Sequence, residues 1–219
     1  MSEPESATPS RSPAARIDAP APDFEARTTQ GPVRLSGYRG RWLLLFSHPA
    51  DFTPVCTSEF VALQRAKPRF DALGCALLGL SVDSLYAHLA WVRDIEQRFG
   101  ETIGFPVIED ISMSISRAYG MIHEASSGTA AVRSVFFIDP DGVIRAMIHY
   151  PMNVGRSVTE LLRVLEALQL CDAGRVTTPE GWQSGDDALL PPPLDQAEAE
   201  RRATGDGAHW YYTRAEAAR

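Results

Sequence analysis

The 219-residue sequence predicts an α/β fold in which helices flank a central mixed sheet, followed by a C-terminal extension. Three observations support this prediction. Short apolar runs alternate with helical patterns over the first half of the chain. A Pro-Asp-Gly tripeptide joins the last two apolar runs. Beyond residue 175 the sequence becomes polar and proline-rich, which separates the extension from the folded domain.

Five apolar runs are predicted to be strands because each is short and bounded by turn residues. They lie at residues 42–46, 75–82, 105–108, 134–138 and 143–148. Helical patterns at 57–73 and 84–99 separate the first three runs, and a short helix is predicted near 111–119. This alternation predicts right-handed βαβ units and a largely parallel sheet.

The turn Pro140-Asp141-Gly142 predicts an antiparallel hairpin formed by the last two strands. A helix at 157–170 follows, with leucine and valine side chains on one face. A parallel βαβ portion, a hairpin and a closing helix together are typical of the thioredoxin-like fold. Because a fold of this kind carries many activities, it does not define the function by itself.

The chain is expected to have three parts. Residues 1–20 are rich in serine, proline, alanine and glutamate and are predicted to be a disordered tail. Residues 21–175 form the thioredoxin-like domain, and residues 176–219 form a C-terminal arm. The aromatic run 209–212 in this arm favours an oligomer interface. A frayed terminus is the alternative.

Composition and charge argue against several classes of function. The net charge of -7, without a basic stripe, argues against a nucleic-acid partner. The apolar runs are too short to span a bilayer, so no membrane segment is expected. The first residues include Glu3 and Glu5 and no apolar segment of a secretory signal. A cytoplasmic location is therefore expected.

The cysteines and histidines suggest neither a disulfide framework nor a metal site. Cys56, Cys75 and Cys171 make an odd number without a CxxC pair. Cys75 lies in a predicted central strand and is expected to be a buried apolar residue. Cys171 follows the helix at 157–170 and is expected to be partly exposed. No metal is predicted, because no carboxylate pattern accompanies the histidines His88, His123, His149 and His209.

Cys56 is the strongest candidate for a nucleophile. It is predicted to lie in the first turn of a helix, directly after a buried strand. Thr53 can cap this helix with its hydroxyl, and Pro54 has the fixed φ suited to the first helical position. The free N–H groups and the dipole of a helix N-terminus favour the thiolate form of a cysteine.

The residues around Cys56 fit the pattern Pro-x-x-x-Thr-x-x-Cys, with Pro49 and Thr53 in its first places and Glu59 just beyond. This pattern is the signature of the peroxiredoxins. Further stretches typical of that family follow in order at 89–91, 105–108, 133–140 and 154–156. The chain thus resembles the peroxiredoxin family from about residue 21 to residue 186.

The chain resembles the one-cysteine branch of that family in three features. His48 immediately precedes the signature proline. Thr178 stands where two-cysteine members carry their resolving cysteine. The arm, with its proline run 191–193, resembles the extended C-terminus of one-cysteine-like microbial members. Residues 35–40 do not fit the Gly-x-Ser-x-Gly motif of vertebrate members, so phospholipase activity is not predicted.

The resemblance implies roles for four residues. Cys56 is expected to attack peroxide as a thiolate and to become a sulfenic acid. Arg133 is expected to stabilise the thiolate and to donate a hydrogen bond to a peroxide oxygen. The hydroxyl of Thr53 is expected to contact the sulfur and the bound peroxide. Pro49 is expected to shield the thiolate from water.

Three more residues are expected to support the same site: Glu59, Arg156 and His48. Arg156 supplies a second guanidinium, which is expected to hold Arg133 or Glu59 in place. His48 is either a catalytic residue or a structural histidine at a strand end, and both alternatives remain open.

The implied activity is a thiol-dependent peroxidase that reduces hydrogen peroxide and organic hydroperoxides to water and alcohols, in antioxidant defence and redox homeostasis. An external thiol of the thioredoxin, glutaredoxin or glutathione type is expected to regenerate the cysteine. No cofactor is expected. The expected assembly is a homodimer or a ring of dimers.

Two other classes of function compete with the peroxidase. An oligomeric holdase-type chaperone, or a redox-signalling binding protein, is an alternative that needs no turnover. A thioredoxin-like reductase is disfavoured because the chain has no CxxC pair.

Overall fold

The structure is a computed structural model that describes residues 15–122, 130–204 and 209–216. His123, one of the histidines considered above, lies outside these ranges. The chain divides into two compact units, one ending at Arg156 and the other beginning at Ser157. No helix of the described residues is long and apolar enough to cross a membrane.

The first unit is built around a seven-stranded mixed sheet with the strand order β2-β1-β5-β4-β3-β6-β7. β3 pairs in parallel with β4, and β4 with β5, whereas the other neighbours are antiparallel. This confirms the predicted βαβ units and the hairpin. The prediction of a largely parallel sheet was wrong, because the strands β1, β2, β6 and β7 all pair antiparallel. The strands are β1 Glu25–Thr28, β2 Gly31–Arg34, β3 Trp42–Ser47, β4 Cys75–Ser81, β5 Val107–Glu109, β6 Arg133–Ile138 and β7 Ile144–Tyr150.

The described residues of this unit form three helices, and a 3-10 turn lies at Leu35–Tyr38. β3 is buried along its whole length, as its unbroken apolar run predicts. Gly79 of β4 allows close packing here, because a Cβ at this position would lie 3.3 Å from the ring of Phe46. The helices are α1 Pro54–Ala72, α2 Leu85–Phe99 and α3 Ser114–Ala118.

The N-terminal part of the unit differs from the sequence prediction. β1 and β2 were not predicted, because their residues alternate weakly and only partly bury their side chains. The predicted disordered tail extends too far, since residues 15–20 join the fold. Asp18 N–H donates to the Ile144 carbonyl at 2.8 Å, and Ala19 O accepts from Ile144 N–H. The rest of the predicted tail, residues 1–14, lies outside the described residues.

The second unit contains α4 Val158–Gly174, the strand pair β8 Ala188–Leu189 with β9 Arg214–Ala215, and α5 Gln196–Ala203. The sequence-based division assigned α4 to the thioredoxin-like domain, residues 21–175, and not to the arm. In the structure α4 belongs to this second unit. One reason is visible in the contacts: Arg163 of α4 donates to the carbonyl of the buried Trp182. α4 also runs past residue 170, so Cys171 lies inside its last turn rather than after it.

Candidate active site

Cys56 is fully buried and is the third residue of α1, which begins at Pro54. The strand–helix connection predicted from the sequence is therefore confirmed. Thr53 is the N-cap residue, but its hydroxyl makes no capping hydrogen bond. It donates instead to the Ala50 carbonyl at 2.9 Å. The prediction of a hydroxyl cap was wrong, because no backbone N–H of the first turn donates to this oxygen.

Arg133 reaches the sulfur of Cys56 from the first position of β6. β6 pairs directly with β3, and α1 follows β3, so the guanidinium comes close to the helix N-terminus. Its Nη1 lies 3.4 Å from Cys56 Sγ and 2.8 Å from Glu59 Oε2. Its Nε donates to the Met152 carbonyl at 2.9 Å. A fixed cation at this distance stabilises negative charge on the sulfur.

Glu59 and Arg156 form a buried bidentate ion pair behind Arg133. Arg156 donates from Nε to Oε1 at 2.9 Å and from Nη2 to Oε2 at 2.7 Å. Its Nη1 also donates to the carbonyls of Ser47 and Ser134. Burial raises the pKa of Glu59, but the hydrogen bonds and charge of Arg156 outweigh it and leave that pKa below its ordinary value. Glu59 is therefore an ionised link between the two guanidinium groups.

Glu59→Gln is expected to destabilise the first unit by about 3–5 kcal/mol, because it leaves two buried arginines without a counter-charge. The side chains of Glu59, Arg133 and Arg156 are each at most 3% exposed. Denaturant unfolding of both proteins measures the loss. Asp94→Asn is the matched control, since it breaks a surface ion pair with Arg98 that is worth about 0–1 kcal/mol. Equal effects of the two substitutions would contradict this account of the site.

The same variant has an expected pH dependence. The folded pKa of Glu59 lies below its ordinary value of 4.5. The ion pairs of Glu59 therefore stabilise the fold fully above pH 4.5, and this stabilisation is lost as the pH falls through the folded pKa. The stability difference between the native protein and Glu59→Gln is expected to shrink with falling pH in that range. Unfolding curves at a series of acidic pH values measure it.

His48 belongs to a buried cluster that the sequence did not predict. Its Nε2 lies 2.8 Å from Asp51 Oδ1, and Asp51 Oδ2 lies 2.7 Å from His88 Nδ1. The expectation that His88 has no carboxylate beside it was therefore wrong. The residues come from the β3–α1 turn and from α2, so their sequence separation hid the contact. Burial, the largest influence, lowers the pKa of His48 below its ordinary value.

The cluster of His48, Asp51 and His88 offers one ligand atom from each residue within 4.8 Å of one another, a spacing that a metal ion could use. Each carboxylate oxygen of Asp51 already contacts a ring nitrogen, however. Hydrogen bonding alone therefore accounts for the arrangement. Pro49 lies half-buried between His48 and Thr53, in the turn before α1.

The sequence around the buried Cys56 and Arg133 matches known protein families, and the matches cover most of the chain. Residues 17–147 match the AhpC/TSA family. Residues 167–205 match the C-terminal domain of 1-Cys peroxiredoxin. The chain belongs to the peroxiredoxin family. The second match places it with the one-cysteine members, as the position of Thr178 predicted.

Individual relatives agree with this assignment. This peroxiredoxin is 46% identical to the peroxiredoxin of Thermoplasma volcanium over 192 residues, which cover 88% of this chain and 94% of the relative. It is 52% identical to peroxiredoxin 2 of Thermoplasma acidophilum over 169 residues, which cover 77% and 84% of the two chains.

Solved structures share the fold. A yeast mitochondrial 1-Cys peroxiredoxin, studied for thiol resolution via glutathione/thioredoxin systems, has a TM-score of 0.81 and 38% identity, covering 91% of this chain and 99% of that one. A cysteine-to-serine mutant of peroxiredoxin 6 from Arenicola marina has a TM-score of 0.78 and 33% identity, covering 86% and 89%. The protein is a thiol-dependent peroxidase, an oxidoreductase with the thioredoxin-like peroxiredoxin fold.

The two other cysteines differ from Cys56 in their surroundings. Burial raises the pKa of the Cys75 thiol to about 12, so this residue is a poor nucleophile at neutral pH. The prediction that it is a buried core residue is confirmed. Cys171 is half-buried in α4, which agrees with the predicted partial exposure.

Proposed function

We propose that Cys56 reduces hydrogen peroxide and organic hydroperoxides to water and alcohols. The observation that carries the proposal is the 3.4 Å contact between Arg133 Nη1 and Cys56 Sγ at a helix N-terminus. The thiolate attacks one peroxide oxygen, an S–O bond forms and the O–O bond breaks. The other oxygen leaves with the electron pair as hydroxide or alkoxide and takes a proton. Cys56 becomes a sulfenic acid.

Arg133 and Thr53 supply the polar contacts for this step. The guanidinium of Arg133 stabilises the thiolate and can donate to the peroxide oxygen on which charge develops. The hydroxyl hydrogen of Thr53 is directed to the Ala50 carbonyl. The oxygen of Thr53 is then free to accept a hydrogen bond from the peroxide O–H. Pro49, half-buried before the helix, limits the access of water to the sulfur.

Glu59 and Arg156 act on the reaction through Arg133. Glu59 Oε2 accepts from Arg133 Nη1 at 2.8 Å and from Arg156 Nη2 at 2.7 Å. Arg156 is tied in turn to the carbonyl of Ser47 at the end of β3. This chain of bonds fixes the guanidinium of Arg133 at the sulfur, so no rearrangement is needed when charge develops.

An external thiol is proposed to reduce the sulfenic acid and return Cys56 to its thiol. Within the chain, Cys75 is buried with a raised pKa, which disfavours it as a partner. The yeast relative studied for thiol resolution via glutathione/thioredoxin systems supports a reductant of the thioredoxin or glutathione type, and glutaredoxin is a further candidate. The thiol attacks the sulfur of the sulfenic acid and releases water, and a second thiol then breaks the mixed disulfide.

Peroxide-treated protein is expected to run as a monomer on a non-reducing denaturing gel, because no second cysteine resolves Cys56. The measurement compares the native chain with Cys171→Ser. A stoichiometric disulfide-linked dimer that disappears in Cys171→Ser would overturn the one-cysteine mechanism. Its persistence in Cys171→Ser would instead indicate a disulfide between two copies of Cys56.

Turnover with separate reductants tests the proposed thiol partner. Peroxide consumption is measured with thioredoxin and its reductase, with glutaredoxin and glutathione, and with glutathione alone. At least one of these thiol systems is expected to sustain many turnovers per Cys56. Consumption that stops after one equivalent of peroxide with all three would contradict the proposed reductant classes but leave the first step intact.

We also propose a homodimer, or a ring of dimers, as the working assembly, in the cytoplasm. The exposed aromatic residues Trp210, Tyr211 and Tyr212 support an interface in the arm, since such side chains are enriched where subunits meet. The need for a thiol reductant supports a reducing compartment.

A further inference from the structure

The hydrogen-bond partners of His88 restrict the protons that its two ring nitrogens can carry. Nε2 lies 3.0 Å from the Ile108 carbonyl, which can only accept. Nε2 therefore carries a hydrogen. Nδ1 lies 2.7 Å from Asp51 Oδ2. Either Nδ1 also carries a hydrogen, making His88 an imidazolium, or Asp51 is a neutral acid that donates to it.

The second contact of Asp51 favours the ionised carboxylate. Asp51 Oδ1 lies 2.8 Å from His48 Nε2, so both carboxylate oxygens face ring nitrogens that can donate. Burial raises the pKa of Asp51, but the hydrogen bonds from His48 and His88 outweigh it and leave the pKa below its ordinary value. The shared proton then resides on His88, and the buried pair is a carboxylate beside an imidazolium.

His48 is left neutral with a defined tautomer. Its Nε2 donates to Asp51, whereas its Nδ1 is buried and has no hydrogen-bond partner among the described residues. A buried N–H without an acceptor is rare and costly, so Nδ1 carries a lone pair instead of a hydrogen. The charge of His88 also opposes protonation of His48, whose pKa lies below its ordinary value, chiefly through burial.

His48 lies on the side of α1 that carries the reactive cysteine. Its ring packs on Phe60 with centroids 4.9 Å apart. Phe60 follows Cys56 by four residues, and residues with that spacing share one face of a helix. His48 is also followed directly by the turn that leads to Thr53. A second proton on the His48 ring would therefore add positive charge beside this face of α1.

We propose that His88 is a positioning residue of the peroxidase: as an imidazolium held between Asp51 and the Ile108 carbonyl, it keeps Asp51 ionised and His48 neutral in the Nε2–H tautomer. His88 acts through Asp51 and His48 and is not placed against the substrate. The part of the proposal that concerns catalysis rests on the peroxide chemistry proposed for Cys56, whereas the protonation states do not.

Other charged groups around the cluster are consistent with this assignment. The Asp51 backbone N–H donates to Asp83 Oδ2 at 2.9 Å, which places a second carboxylate beside the turn. Glu109 of β5 interacts electrostatically with His88. Arg156 opposes protonation of His48. The acidic groups thus favour charge on His88, and the arginine disfavours charge on His48.

Nitrogen NMR of the histidine side chains in the full-length protein tests the protonation states. Signals are assigned with His48→Asn and His88→Gln. At neutral pH, His88 is expected to show two protonated nitrogens, and His48 one protonated nitrogen at Nε2. A neutral ring at His88, or a hydrogen on His48 Nδ1, would overturn the proposal. So would a change of these signals on addition of zinc sulfate, which would indicate a metal site.

The pH profile of sulfenic acid formation tests the link to catalysis. Loss of the cation in His88→Gln is expected to raise the pKa of His48, because the charge of His88 opposes protonation of that ring, and Nδ1 then gains a proton as the pH falls. The reaction rate is expected to acquire a titration step at the same midpoint. Asp139→Asn is the matched control, because it removes a buried carboxylate that accepts N–H groups in the β6–β7 hairpin, at the opposite end of β6 from Arg133.

The outcomes separate this proposal from the proposed function. A His88→Gln profile that differs from the native one only by a constant factor, as expected for Asp139→Asn, would contradict the positioning role. Continued peroxide consumption by Cys56→Ser would instead contradict the proposed function. The NMR result holds or fails independently of either rate measurement.

Discussion

Cys56→Ser is expected to abolish peroxide consumption. A serine hydroxyl at this position is not ionised near neutral pH and cannot be oxidised to a sulfenic acid, although it occupies almost the same volume. Because Cys56 is fully buried beside Arg133 and lies within α1, the isosteric change should leave the fold intact. Peroxide consumption with a thiol reductant present is the measurement, and circular dichroism checks the fold.

Cys171→Ser is the matched control and is expected to retain the native rate, since the proposed chemistry does not use it. The comparison also distinguishes the peroxidase from a holdase-type chaperone, because suppression of client aggregation should survive Cys56→Ser. The relatives named above are peroxiredoxins, which favours the enzyme. Peroxide consumption at the native rate by Cys56→Ser would contradict the assignment of the nucleophile.

Arg133→Gln is expected to slow sulfenic acid formation by about 10- to 100-fold. A hydrogen bond to a charged group is worth about 1.5–3 kcal/mol, and about 1.4 kcal/mol corresponds to a factor of ten in rate. The substitution removes the contact with Cys56 Sγ and the cation that stabilises the thiolate. Rapid mixing of reduced enzyme with peroxide, under single-turnover conditions, measures the second-order rate constant.

Arg133→Lys separates the charge from the geometry of the guanidinium. Lysine keeps the positive charge but cannot contact Cys56, Glu59 and the Met152 carbonyl together, as Arg133 does. It should fall between the native enzyme and Arg133→Gln. Arg65→Gln, which removes an exposed ion pair with Glu101, should leave the rate unchanged. A native rate in Arg133→Gln would remove Arg133 from the mechanism.

Local signals in the sequence were sufficient to predict the framework of the site. The apolar run before Cys56 predicted a buried strand, and Pro54 marked the first helical residue of α1. The family signature linked Cys56 to Arg133, which lies 77 residues away and contacts it across paired strands. The roles of Glu59 and Arg156 as partners were likewise anticipated, and the structure brings them together.

Contacts between distant elements without a known motif could not be predicted. His88 lies on α2 among residues with helical spacing, where a buried histidine resembles any other core residue. Its pairing with Asp51 depends on how α2 packs against the turn before α1. The hydroxyl of Thr53 shows a different limit. Its acceptor is the Ala50 carbonyl, and that choice depends on the turn geometry rather than on residue type.

The central claim is that Cys56 alone carries the oxidation. It is tested most directly by treating reduced protein with one equivalent of hydrogen peroxide, trapping sulfenic acid with a cyclic diketone and mapping the adduct by mass spectrometry. The adduct is expected on the peptide that contains Cys56, with Cys75 and Cys171 unmodified. Labelling of Cys171 instead of Cys56, or rapid peroxide consumption without any adduct on Cys56, would contradict the account.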